Sequence, residues 1–204
     1  MGEVSIIGLD LAKNVFQAYG AGADGSVVFR RKLSRAQLLK FIPAQPPCVV
    51  AMEACASSHH WGRAIGDLGH EVRLIPPAYV KSFVKRQKND MADAEAIAEA
   101  ASRPTLRLVA VKSEAQQAAA MAYRTRDLSV RQRTQTINAL RAHLAEQGNV
   151  TPTGPIHVRR LASVIDGDDG RLPAAVRDLA RLLLDQIAGL AEKTRALILS
   201  FASA

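Results

Sequence analysis

From Ser113 to Gln147 the chain contains neither proline nor glycine, and Ala, Gln, Arg and Leu dominate. Nothing in that run breaks a helix, so it predicts one long helix that starts on a Ser113 cap and stops at Gly148. Such a helix is too long to be a connector within one compact domain. It divides the chain into residues 1–112, which must close a core of their own, and a long-helix region over 113–204. At 204 residues and 48% hydrophobic composition there is enough apolar material for a sizeable core.

The first part reads as alternating short elements. "VSIIGLDLA" (4–12), "NVFQAYGA" and "SVVFRRKL" are apolar runs rich in β-branched residues, with the turn pair Asp24-Gly25 before the third, which predicts a three-stranded meander. Ser34 then precedes a short helix, "RAQLLKFI", that ends near Pro43. A buried strand "PCVVAME", a helix over about 58–68 ending at Gly69, a strand "EVRLI", and a break at Pro76-Pro77 before another short helix follow. The order βββ-α-β-α-β-α, with right-handed crossovers after the meander, predicts an α/β domain in which a mixed sheet is covered by helices on both faces. Beyond the loop "GNVTPTGP", residues 173–199 form another helical run, with Val176, Ala180, Leu183, Ile187, Leu190, Thr194 and Leu197 at heptad positions. That seam fits a coiled coil between chains and equally fits two helices packing within one subunit.

Charge narrows the partners. Lys and Arg number 27 against 19 Asp and Glu, a net charge of +8, which suits a polyanion. Residues 30–40 carry Arg30, Arg31, Lys32, Arg35 and Lys40 without an acid, and residues 73–88 carry Arg73, Lys81, Lys85, Arg86 and Lys88 likewise. Such clusters are commonly solvated faces, and beside acids suited to catalysis they point to nucleic acid. Lys85, Arg86 and Lys88 are the first choice for backbone contacts, because they immediately precede two such acids; Arg124 and Arg131, nearly aligned on the long helix, are the second. Cys48 and Cys55 are the only cysteines, so neither a disulfide framework nor a thiolate metal site is indicated, and a reducing cytoplasm is expected. There is no secretory signal pattern and no apolar stretch long enough to cross a bilayer, so no membrane role is expected.

The acids carry the chemistry. Asp10 lies inside the apolar run "IIGLDLA", where a carboxylate is costly unless it is hydrogen-bonded, paired or bound to a metal. Glu53 repeats the situation at the end of "CVVAME", on a strand whose neighbour is plausibly the first. Two carboxylates at adjoining strand ends repel unless a cation lies between them. In "KRQKNDMADAEAIAEA" (85–100), cations give way to acids, and Asp90 and Asp93, three apart, share a helix face. Each acid has a plainer explanation: Asp90 and Asp93 as cap and dipole partner of their helix, Asp10 as a turn residue, Glu53 at the start of the next helix. Taken together, Asp10, Glu53, Asp90 and Asp93 are oxygen donors without His or Cys, the chemistry of a Mg²⁺ or Mn²⁺ site at a phosphate.

"IGLDLAK", "MEACASSHHWGR", "LGHEVRLIPPAYV", "KNDMADAEAI" and "YRTRDLSVRQRTQTINALRAHLAEQG" resemble the N-terminal portion of the DEDD transposases, insertion-sequence recombinases with a RuvC-like domain. The resemblance spans about residues 4–148. It implies an RNase H-like fold in which Asp10, Glu53, Asp90 and Asp93 hold divalent metal at the DNA backbone. It also implies a homo-oligomer, a dimer or tetramer, and guidance by a structured RNA from the element. Family members carry a C-terminal domain with a serine nucleophile, and nothing around Ser200 in "RALILSFASA" matches it. The expectation is therefore a fragment that lacks that domain and does not complete recombination alone.

His59 and His60 follow Glu53 closely, but a hard-ion site has no need of imidazole, so helix-start or phosphate contacts are expected of them, and core packing of Trp61. Two other functions compete with a transposase. One is a stand-alone RuvC-type junction resolvase, against which the long helices argue. The other is a nucleic-acid-binding or dimerisation regulator that does not cut. A third, a sugar kinase with "IGLDLAK" as its phosphate loop, lacks a glycine-rich adenosine-binding counterpart.

Overall fold

A computed structural model describes residues 3–83, 90–167 and 172–202. The chain forms two compact units, Met1–Glu114 and Ala115–Ala204. In the first, strands β1 (Ile6–Asp10), β2 (Val15–Ala21), β3 (Val27–Ser34), β4 (Val49–Glu53) and β5 (Glu71–Ile75) make one sheet in the order β3-β2-β1-β4-β5. The β1–β2 and β2–β3 pairs are antiparallel, and β1–β4 and β4–β5 are parallel. This mixed sheet, a meander continued by two crossovers and covered on both faces, is the RNase H-like arrangement. Helices α1 (Arg35–Phe41), α2 (Ser58–Gly66), α3 (Pro77–Val80) and α4 (Asp90–Ala101) complete the unit.

Strand alternation sorts the core. Ile7, Leu9, Val50 and Met52 face α1 and α2 and pack with Leu38, Trp61 and Ile65. Trp61 is core, as expected, meeting Phe16 edge-on at 5.1 Å. The Ser34 cap of α1 is a full capping box: its hydroxyl accepts the Gln37 N–H, and the Gln37 side chain accepts the Ser34 N–H. On the other face, Ile6, Ala51 and Ile75 pack with Ala96, Ile97, Ala100 and Ala101 of α4. Val109 pairs with Leu74 in a single antiparallel bridge, so part of the segment 106–111 lies beside β5.

Both cysteines are free. Burial pushes the Cys48 thiol up to about 11, and His70 beside it is fixed by two backbone bonds. Its Nδ1 accepts the Cys48 N–H at 3.4 Å and its Nε2 donates to the Ile42 carbonyl at 3.2 Å.

The second unit contains α5 (Glu114–Ala145), α6 (Val158–Asp166) and α7 (Ala174–Ala202). Helix α6 is absent from the sequence reading, although Val158, Leu161 and Ile165 are spaced to share a helix face. Val176, Ala180, Leu183 and Ile187 of the heptad seam pack against Ile137, Leu140 and Leu144 of α5 and Leu161 and Ile165 of α6. That part of the seam is used inside the chain. No helix among the described residues is long and apolar enough to cross a membrane.

Candidate metal centre

Parallel pairing of β1 with β4 aligns Gly8 with Ala51 and Leu9 with Met52, so Asp10 and Glu53 come next, side by side at the ends of central strands. Both share a face with Gly8 and Ala51, the side covered by α4, because side chains alternate along a strand. Each is half-buried. The closeness of α4 has one cause in the sequence. A Cβ on Gly8 would stand 2.1 Å from the Ala94 carbonyl oxygen and 2.9 Å from the Ala98 Cβ, so only glycine lets the helix lie on the strand.

The direction of α4 follows from its neighbours. Ser5, before β1, and Ser102, after α4, line one cavity of about 550 Å³, whereas Ala94 lies over Gly8. The helix therefore runs antiparallel to β1, and its first turn is carried towards the Asp10 end. Asp93, half-buried, belongs to that turn. Asp90 opens the helix, with its side chain outside the described residues. Arg30 of β3 holds this helix from the far side, donating to Glu95 at 3.1 Å while its guanidinium sits 5.4 Å from the Tyr19 ring centroid.

Asp10 and Glu53 lie at the end of the sheet towards which the first turn of α4, with Asp93, is directed, and their chemistry fits a hard divalent cation: carboxylate oxygens alone. Among the described residues no three His, Cys, Asp or Glu side chains close into a metal-binding group.

His59 Nδ1 accepts the Lys112 N–H at 3.2 Å, and Arg63, one turn later on α2, donates to the Lys112 carbonyl at 2.8 Å. The pair grips one peptide from both sides, and no sequence signal announces it. His60 is exposed and meets Trp61 edge-on. Of the expected phosphate contacts, Lys85, Arg86 and Lys88 lie outside the described residues. Arg124 and Arg131 are exposed on α5, and Arg131 pairs with Asp127 at 3.0 Å, an exposed bond of small strength.

Residues 7–148 match the family of DEDD transposases of the IS110 type, described as transposases. A protein of Pseudomonas aeruginosa named as a family 20 transposase is 48% identical over 187 residues, 91% of this chain and 55% of that protein. The transposase for insertion sequence element IS1328 of Yersinia enterocolitica is 44% identical over 182 residues, 89% of this chain and 54% of its own. A Sinorhizobium fredii protein named as transposase y4pF/y4sB is 44% identical over 180 residues, 88% of this chain and 46% of its own. The chain spans about half the length of these curated relatives.

Proposed function

The chain belongs to the DEDD transposase family of the IS110 type, and from that premise we propose that it is the metal-binding catalytic part of a DNA transposase. Asp10, Glu53, Asp90 and Asp93 would hold one or two Mg²⁺ or Mn²⁺ ions against a DNA phosphate. The observation that carries this reading is the placement of Asp10 and Glu53 immediately after the last paired residues, Leu9 and Met52, of adjacent parallel strands, under a helix that Gly8 admits to contact. When bound, the cation supplies charge stabilisation at the phosphate and an activated attacking oxygen. The chain's own part is to fix the carboxylates before substrate arrives. Strands β1 and β4 hold Asp10 and Glu53 rigidly, and α4 carries the other two as one unit.

Mn²⁺ titration by calorimetry tests the assignment: Asp10→Asn should weaken binding by about tenfold or more, on the order of 1.4 kcal/mol. Unchanged affinity in that variant would remove the central claim.

Lys85, Arg86, Lys88, Arg124 and Arg131 complete the proposal as phosphate contacts. Affinity for duplex DNA should fall steeply with salt, and neutralising Lys85, Arg86 and Lys88 together should flatten the log–log slope by about two to three units. A slope left unchanged would place the DNA elsewhere. A structured guide RNA and self-association to a dimer or tetramer belong to the same reading. For the latter, α7 exposes Leu179, Leu182 and Leu199, apolar side chains that suit a second copy.

A further inference from the structure

We infer that Gln17 is a further member of the metal centre, a neutral oxygen donor that takes the cation directly or through one of its waters. The inference rests on the four-carboxylate reading and adds a residue to it. Gln17 stands directly opposite Asp10 in the antiparallel β1–β2 pairing. Residues so paired share a face with their Cβ atoms about 5 Å apart. With Glu53 on the other side of Asp10, one row crosses three adjacent strands as Gln17, Asp10, Glu53.

The state of that side chain is what singles it out. Gln17 is 8% exposed, and its Oε1 is buried without a hydrogen-bond partner. Buried amide oxygens are nearly always paired, because desolvating one without a partner costs free energy that folding does not return. Among the described residues of the first unit only Trp61 Nε1 shares this condition, and Trp61 packs on the opposite face of the sheet, away from Asp10. A cation selects the oxygen end of an amide, whose orientation follows from its partners. A neutral donor beside several carboxylates adds a ligand without adding to their mutual repulsion.

Sequence already carries a trace of this: in the strand "VFQAYGA" Gln17 is the single strongly polar side chain, flanked by Phe16 and Ala18, both wholly buried.

Mn²⁺ binding and metal-free stability, measured on the whole chain, separate this role from packing. Gln17→Met keeps the length and removes the polar atoms. Its Mn²⁺ affinity should fall about tenfold, within the range for groups that tune a metal site, while its metal-free melting temperature holds or rises because an unpaired acceptor is gone. Gln17→Glu, which restores an oxygen at the same reach, should regain most of the affinity. If Gln17→Met binds Mn²⁺ as the parent does while Asp10→Asn does not, Gln17 has no part in a site that stands. If Gln17→Met loses melting temperature along with affinity and Gln17→Glu recovers neither, the side chain is packing only, and the inference fails. If the parent chain binds no Mn²⁺, or binds it regardless of Asp10, the metal reading and the role of Gln17 fall together.

Discussion

Gly8→Ala should be one of the most damaging substitutions in the first unit, out of proportion to the single methyl it adds. The added Cβ would fall 2.1 Å from the Ala94 carbonyl oxygen and 2.8 Å from the Ala98 amide nitrogen. Both are backbone atoms of α4, so no rotamer change relieves the contact and the helix has to lift. Overpacking a core costs about 1–3 kcal/mol, and the upper end or beyond applies where the obstacle is backbone. For a unit of this size each kcal/mol lowers the melting temperature by about 4 °C or more. The proposed metal site should suffer with it, because lifting α4 withdraws Asp93 from Asp10 and Glu53. Gly66→Ala is the matching control. Gly66 ends α2, is exposed, and a Cβ there would find its nearest neighbour 4.0 Å away. Alanine at that position should be neutral or stabilise by about 0.4–1 kcal/mol. Thermal unfolding of the two variants should therefore move in opposite directions, and a Gly8→Ala protein that melts with its parent would contradict the close approach of α4.

Gly8 also illustrates which features the sequence could reveal. The strands, the short helix after Ser34, the breaks at Pro76-Pro77 and the long helix are local, written in periodicity and in residues with restricted backbones, and they are legible. Asp10 and Glu53 stood out because a carboxylate in an apolar strand demands an explanation. Gln17 in "VFQAYGA" is likewise a polar group in a buried run, but an amide is less costly to bury than a charge and so is a weaker signal. A glycine inside a strand hints at close approach of another backbone, yet which segment approaches is a tertiary fact. The grip of His59 and Arg63 on the Lys112 peptide joins residues about fifty apart, with no periodicity to mark it. Helix α6 leaves a weak trace for a different reason: it is short, and the breaker-rich loop "GNVTPTGP" precedes it.

Leu140→Ala should produce the largest loss in the second unit. Leu140 is wholly buried in a cluster with Ile137 and Leu144 of its own helix, Leu161 and Ile165 of α6, and Ala180 and Ile187 of α7. Removing a leucine side chain from such a place costs about 2–5 kcal/mol, with the spread set by how far the neighbours collapse into the cavity. Three helices meet at this residue, so little collapse is open to them and the upper half of the range is expected. Met121, on α5 and 71% exposed, supplies the contrast: Met121→Ala should change stability by no more than about 0.5 kcal/mol. The readout is loss of helical ellipticity on heating, at several protein concentrations. If the Val176-to-Ile187 stretch of the seam is held within the chain, the Leu140→Ala deficit is the same at every concentration. A stretch held between chains would instead give a melting temperature that climbs with concentration and partly recovers the variant. Mn²⁺ affinity supplies the second measurement. The proposed ligands all belong to Met1–Glu114, a unit with its own sheet and core. A Leu140→Ala chain whose α5–α6–α7 cluster has melted should still bind Mn²⁺ as the parent does, whereas joint loss of both properties would mean that the two units fold as one.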